Sequence, residues 1–321
     1  MNLVDPHNGR MVGAKGGSEL MYDTLLAKLP RELSDPFQFI VSRVRELKPD
    51  KLKILWCQDP WNDREAEHLT DPELRKRFRK LVFVSHHQFT TFHHRLGVPF
   101  SETAVIGNAI EPIADRVPDK PRDRIRVIYH TMPDRGLRVL LPAFTALAER
   151  YPRLHLDVYS SFRLYGLERR DRHYQHLFDV CRSHPQITYH GTVPNDEIRE
   201  ALMRSHIFAY PCIAGETFCI AAVEAMSAGC LVVCSDSGAL AETVGHHGLV
   251  YRFTEDEEAH KARFSAAMRS AIDLIDTDGA DDLLARAQQR VNAHYTWDTR
   301  IVEWMRLLEG ILEEDRTRSF R

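Results

Sequence analysis

Short apolar runs alternate with amphipathic stretches through most of the chain. FQFIVSRV (37–44), KLKILWC (51–57) and KLVFVS (80–85) are rich in β-branched and aromatic residues and flanked by turn or charged residues, a pattern that predicts strands. Between them, SELMYDTLLAKL (18–29) and HHQFTTFHHRLG (86–97) predict helices; in the second, Phe89, Phe92 and Leu96 recur at i, i+3 and i+7. Ahead of these, only Met1–Val4 could supply a further strand. The hydrophobic period breaks at EPIADRVPDKPRDR (111–124), which carries three prolines and many charges and predicts an interdomain linker.

A second series follows. RVIYH (126–130), LHLDVYS (154–160), ITYHG (187–191), IFAYP (207–211), LVVCSDS (231–237) and GLVY (248–251) predict strands. GLRVLLPAFTALAERYP (136–152) predicts a helix despite Pro142, and NDEIREALMRSH (195–206) a helix with Asn195 as its N-cap. TWDTRIVEWMRLLEGILEE (296–314) predicts an amphipathic helix with Ile301, Trp304, Met305, Leu308 and Leu312 on one face. Alternating strands and helices imply parallel sheets with right-handed crossovers. The expected fold is therefore α/β: two Rossmann-like, doubly wound domains facing a central cleft, where such folds bind ligands at their strand ends. The expected division is 1–115, 120–295, and a helix at 296–321 packing back on the first domain.

Composition narrows the class. The 321 residues suit two domains of about 120–200 each, and 43% hydrophobic with 28% charged residues is the range of a soluble globular protein. A net charge of -3 gives no argument for a nucleic-acid partner. No run approaches the roughly 18–20 apolar residues that cross a bilayer, and the start lacks the apolar core of a signal peptide, so a soluble cytoplasmic protein is expected. The six cysteines form no C-x-x-C pair and lie mostly in apolar runs, where they read as small buried hydrophobes in a reducing compartment. His86/His87 and His93/His94 stand about 10.5 Å apart along a helix, too far to share a zinc ion, and no metal is expected. RKRFRK (75–80), opposite Leu74, Phe78 and Leu81, reads as a solvated helix face or as a basic amphipathic helix resting on anionic lipid through 74–81, at the inner face of the membrane.

Candidate chemistry concentrates in PCIAGETFCIAAVEAMSAGCLVVCSDSGALAET (211–243). A loop ending in Gly215-Glu216 runs into a helix expected from about Thr217, so that the amides of Thr217, Phe218 and Cys219 would be free to bind a phosphate. Glu224 follows Glu216 by eight residues, roughly 12 Å of helix rise. That is too far for the paired carboxylates of a glycoside hydrolase, and it suits two groups holding opposite ends of a long ligand.

This segment resembles the signature of retaining glycosyltransferases of family GT4, the "glycosyltransferase group 1" type, whose E-x7-E motif matches Glu216 and Glu224. A GGLPE-like turn matches Gly238-Ala239-Leu240-Ala241-Glu242. The resemblance implies a GT-B fold, a first Glu on the donor sugar, a second on the ribose hydroxyls, and turn and helix amides on sugar and diphosphate. Thr217 and Cys219 replace the glycines of the common E-G-F-G form; a subgroup reads E-T-F-C-I. HTMPDRGLRVLLPAFTALAERYP (130–152) resembles the family's R-x(4–5)-K-G segment, whose cations neutralise the leaving diphosphate; Arg135-Gly136 fills the Lys-Gly place and His130 stands near that of the Arg. GAKGGSE (13–19) resembles the glycine-rich loop before the first helix, with Gly16 and Gly17 on the donor. WCQDPWND (56–63) matches the acceptor side, with Gln58 and Asp59 as candidates. Asn108 in VIGNAIEP matches a structural position.

The function implied is transfer of a sugar, with retention, from a UDP-, GDP- or ADP-sugar to a saccharide or lipid-linked acceptor, without a further cofactor. In cells this would serve polysaccharide or glycolipid assembly. Catalytic candidates are Arg135, Glu216 and Asp59. Rival readings are a nucleotide-sugar epimerase of the same fold, an inactive nucleotide-sugar binder, and a nicotinamide dehydrogenase, which the lack of G-x-G-x-x-G after a strand disfavours.

Overall fold

The computed structural model describes residues 13–319; the strand expected at Met1–Val4 lies outside them. The chain opens with α1 (Gly17–Lys28) and α2 (Arg31–Ser34), followed by β1 (Phe37–Val41), β2 (Leu52–Cys57), α3 (Pro72–Arg75), β3 (Lys80–Phe83), α4 (His86–Leu96) and β4 (Thr103–Val105). The four strands form one parallel sheet in the order β1-β2-β3-β4, with Phe37 opposite Leu52, Ile54 opposite Lys80 and Leu81 opposite Thr103. The Ser85 hydroxyl accepts the Gln88 N–H at 3.0 Å to cap α4, and Gly97 ends it at φ 67°.

The second series runs β5 (Ile125–Tyr129), α5 (Leu137–Arg150), β6 (Leu154–Val158), α6 (Gln175–Ser183), β7 (Ile187–Tyr189), α7 (Asn195–Arg204), β8 (Ile207–Tyr210), α8 (Ile220–Ser227), β9 (Leu231–Ser235), α9 (Leu240–Val244), β10 (Leu249–Tyr251), α10 (Glu257–Ile275) and α11 (Asp278–His294). Its strands are all parallel, in the order β10-β9-β8-β5-β6-β7. Counted within this sheet that is 6-5-4-1-2-3, the doubly wound order, and the winding reverses between β5 and β8. Every residue of β8 and β9 is buried, as expected for central strands covered on both faces.

The last helix, α12 (Trp297–Ser319), groups with the first sheet. Along β2 successive side chains alternate faces. Leu55 and Cys57 join the core of Phe83, Phe92 and Val98, whereas Trp56 meets Trp304 of α12 edge-on at 5.0 Å, and Phe39 meets it at 5.8 Å. The N-terminal unit thus comprises Gly17–Glu111, Glu216–Phe218 and the residues from His294 on; the other unit holds 13–16, Pro112–Gly215 and Cys219–Ala293. The stretch expected as a linker packs within this second unit. Lys120 Nζ donates to the carbonyls of Ser205, Ala228 and Gly229 at 2.5, 2.9 and 2.9 Å.

The lipid-facing helix expected over 74–81 does not form. The segment leaves α3 at Arg75 and enters β3 at Lys80. Its cations are engaged: Arg75 is buried against Glu102 and the Leu69 carbonyl, Lys76 pairs with Glu73, and Arg79 pairs with Asp315. The segment therefore presents no basic amphipathic helix. The six cysteines are buried and unbridged. Among the described residues no helix is long and apolar enough to cross a membrane.

Candidate functional site

In the second unit, the loops that leave β5, β8 and β9 at their carboxyl ends are tied side by side. The β5 loop turns at Arg135-Gly136. Gly136 has φ 138°, and a Cβ there would lie 2.2 Å from the Pro211 carbonyl oxygen, so only glycine permits this approach. The Ile213 N–H donates to the Arg135 carbonyl at 3.4 Å, holding the turn against the β8 loop. On the other side, the Ser235 hydroxyl donates to the Cys212 carbonyl at 2.9 Å and the Ser237 hydroxyl to that of Ala214 at 2.8 Å. Gly238, at φ 65°, then leads into α9, and the side chains of Ala239 and Leu240 are buried. Of the 238–240 turn, it is the main chain that can meet a ligand.

Three buried polar atoms without a protein partner crowd the β5 loop: His130 Nε2, Thr131 Oγ1 and Asp134 Oδ1. Buried polar groups are normally satisfied, so a cluster of orphans at strand ends marks a place for a polar ligand. The His130 ring lies tilted against Phe208, centroids 4.8 Å apart, and burial lowers its pKa to about 4, with the Ala221 backbone opposing that shift. That shift favours the neutral imidazole in the ligand-free chain.

Helix α8 starts three residues later than expected. Cys219 is its N-cap, with φ 75° and ψ 76°, and Ile220 is the first helical residue. Cys219 therefore keeps a left-handed backbone that suits glycine, which is the residue it replaces in the resembled motif. Glu216, Thr217 and Phe218 precede the cap and belong to the N-terminal unit. The helix-rise spacing between Glu216 and Glu224 thus does not apply, because Glu216 is not on the helix. The Thr217 hydroxyl donates to the Gln58 carbonyl at 2.8 Å, and Phe218 is buried against Tyr295, ring centroids 5.5 Å apart. Glu224, on α8, has its pKa raised to about 7, chiefly by burial and opposed by the Arg199 charge.

The glycine-rich loop groups with the second unit up to Gly16. A Cβ on Gly16 would lie 2.4 Å from the Tyr165 ring, and Gly17 begins α1. Asn195 is not a cap: Pro194 takes that place, and the Asn195 side chain turns to the loop instead. Its Oδ1 accepts the Lys15 N–H at 2.7 Å, and its Nδ2 donates to the Lys15 carbonyl at 3.3 Å.

In the N-terminal unit, Gln58 and Asp59 follow β2. The Gln58 side chain is paired with that of Asn108 through two hydrogen bonds, so of the two acceptor-side candidates only Asp59 presents its side chain outward. The Ser42 hydroxyl accepts both their main-chain N–H groups, at 2.8 and 3.1 Å. Nothing in the sequence marked Ser42, since FQFIVSRV reads as an unbroken strand and serine is not a turn-forcing residue there. Thr131 and Asp134 were missed for a related reason, because their significance lies in what they fail to bond.

The family profile described as Glycosyl transferases group 1 matches residues 126–270. A phosphatidyl-myo-inositol mannosyltransferase of Mycolicibacterium smegmatis is 26% identical over 201 residues, which cover 62% of this chain and 48% of that protein. The match thus spans about half the relative's length. Among solved structures, a glycosyltransferase from Rickettsia africae superposes with a TM-score of 0.68 at 15% identity, over 92% of this chain and 80% of that one. An Anabaena protein, HepE, in complex with UDP-glucose superposes with a TM-score of 0.57 at 16% identity, over 82% of this chain and 72% of that one. At such identities the structures speak for the fold, which is GT-B.

Proposed function

We propose that this chain, whose residues 126–270 match the family profile described as Glycosyl transferases group 1, is a retaining glycosyltransferase. It moves a sugar from a nucleotide-diphosphate-sugar to a saccharide or lipid-linked acceptor. The relationship that carries this reading is the turn at the reversal of the second sheet: Gly136 lies so close to the Pro211 carbonyl that Arg135 is fixed beside the β8 loop, where doubly wound folds bind their ligands.

In this reading Arg135 neutralises the diphosphate through its planar fork. The 238–240 main chain and the Cys219 end of α8 add amides to it. The orphaned His130 Nε2, Thr131 Oγ1 and Asp134 Oδ1 find partners on the donor. Glu216 holds the sugar and Glu224 the ribose hydroxyls, Gly16 and Gly17 let the main chain approach the donor, and Asp59 faces the acceptor. The acceptor hydroxyl attacks C1 on the face the diphosphate leaves. The C1–O bond to phosphate breaks as the new glycosidic bond forms, and the leaving phosphate oxygen takes the hydroxyl proton. No protein base is needed, and the chain's contribution is positioning and charge stabilisation.

A thermal-shift series with UDP-glucose, GDP-mannose and ADP-glucose tests the donor class. One class should stabilise by about 2.7 kcal/mol at a hundredfold excess over its Kd, and the other two should not. Absence of a shift with all three would count against the reading. The anomeric configuration of the product, read by NMR, tests retention.

A further inference from the structure

Ser42 has φ 56°, a left-handed backbone that among the described non-glycine residues it shares with Cys219 alone. A Cβ disfavours this conformation, and such outliers persist where the surroundings over-determine them. Here the surroundings are the end of β2. In extended backbone the side chain of residue 42 would point above or below the sheet. The left-handed residue turns it toward the chain leaving β2, and the Ser42 N–H still donates to the Trp56 carbonyl at 2.9 Å. Its Oγ accepts the N–H groups of Gln58 at 2.8 Å and Asp59 at 3.1 Å.

The same turn is held from its carbonyl side. Gln88 Nε2 donates to the carbonyls of Cys57 at 3.1 Å and Asp59 at 2.8 Å. With the main chain gripped on both sides, the side chain the turn offers is the Asp59 carboxylate, 36% exposed, with Arg43 Nε 3.9 Å away.

We infer that Ser42 is a positioning residue for the acceptor end of the reaction: its hydroxyl, aimed by a strained backbone, fixes the Gln58–Asp59 turn so that the Asp59 carboxylate is held for the acceptor. The inference rests on the acceptor-side role proposed for Asp59.

The test compares the wild type with Ser42→Ala, Ser42→Gly, Ser42→Asn and Asp59→Asn. Hydrogen exchange at the Gln58 and Asp59 amides is measured first. Transfer from the stabilising donor to octyl α-mannoside, and donor loss to water, are followed alongside. Loss of two hydrogen bonds to one hydroxyl should speed exchange of both amides about tenfold or more in Ser42→Ala. The same variant should lower acceptor kcat/KM by a similar factor, leave donor KM unchanged, and match the direction of Asp59→Asn. Ser42→Gly, which relieves the backbone and lacks the hydroxyl, should fail in the same way while remaining folded. Ser42→Asn, which tolerates φ above zero and carries an acceptor oxygen, should recover part of the loss.

Unchanged exchange at both amides in Ser42→Ala would overturn the inference. So would full acceptor kcat/KM in Ser42→Ala beside an impaired Asp59→Asn. An unimpaired Asp59→Asn would instead fell the acceptor-side reading, and the functional role of Ser42 with it, while the exchange rates would still show whether Ser42 holds the turn.

Discussion

The side chains of Gln58 and Asn108 bond each other head to tail: Gln58 Nε2 donates to Asn108 Oδ1 at 3.0 Å, and Asn108 Nδ2 donates to Gln58 Oε1 at 2.9 Å. Each amide satisfies the other where water is excluded, since Gln58 is 9% exposed and Asn108 3%. The pair ties the residue after β2 to the segment that leaves β4, fifty residues on.

Asn108→Ala should therefore cost more than one hydrogen bond, because it leaves a buried Gln58 amide unsatisfied. The expected loss is about 1–3 kcal/mol, measured as a lower midpoint in urea unfolding. Gln58→Leu combined with Asn108→Leu removes both polar groups and should recover part of that loss.

Arg135 and Gly136 can be separated by substitution. Arg135→Ala removes one charge-stabilising donor and should lower turnover by about one to three orders of magnitude with the fold intact. Gly136→Ala places a carbon 2.2 Å from a backbone oxygen at φ 138°. Neither the oxygen nor the turn can yield cheaply, so both turnover and Tm should fall. A Gly136→Ala enzyme with wild-type kinetics would remove the turn from the site.

Glu224 makes a prediction in pH. Its pKa is raised from 4.5 to about 7 by burial, so the folded state holds the proton more tightly than the unfolded one. Below pH 4.5 both states are protonated and burial carries no ionisation penalty. As pH rises toward 7 the unfolded state ionises first, and the folded state loses stability by at most about 3 kcal/mol. Glu224→Gln lacks this penalty, so its stability relative to wild type should grow between pH 4.5 and 7 in calorimetry. Donor kcat/KM should rise through pH 7 in the wild type, where the carboxylate becomes the better acceptor for two hydroxyls, and stay flat in the variant.

His130 and His206 act in the opposite direction. Burial depresses both from 6.5 to about 4. Below pH 6.5 the unfolded state takes up protons that the folded state refuses, so stability falls as pH drops from 6.5 toward 4. The His206 Nδ1 accepts the Arg126 N–H at 3.1 Å, and Asn offers an oxygen for that bond. His206→Asn should make the decline in Tm between pH 6.5 and 4 shallower, by an amount matching about one proton.

Much of the second unit was legible because central parallel strands are covered on both faces and read as unbroken apolar runs; IFAYP and LVVCSDS give β8 and β9 to within a residue or two. The site turns were legible through glycine, as at Gly136 and Gly238, where the backbone needs a conformation other residues resist. What failed was written in other terms. α8 begins at Ile220 rather than Thr217 because a cysteine adopts the backbone a glycine would have announced. RKRFRK suggested one basic helix, but Arg75 turns inward to Glu102 and the run splits between a short helix and β3. The stripe of His260, Phe264, Met268, Ala271 and Ile275 behind the Asp256 cap of α10 has the spacing of an amphipathic helix, and no prediction covered it. Ser42 had no signal of its own, since its role depends on amides sixteen and seventeen residues away.

The return of α12 to the first sheet sets an order of assembly. Trp304 is completely buried against Trp56 and Phe39, so one face of β1 and β2 stays uncovered during synthesis until residue 304 has been translated. At about 5–20 residues per second, that exposed aromatic surface waits for the roughly 250 residues between the two tryptophans to be made. A stop codon even a few positions before Trp304 would strand it for good, and the product would be expected to aggregate rather than merely lose activity.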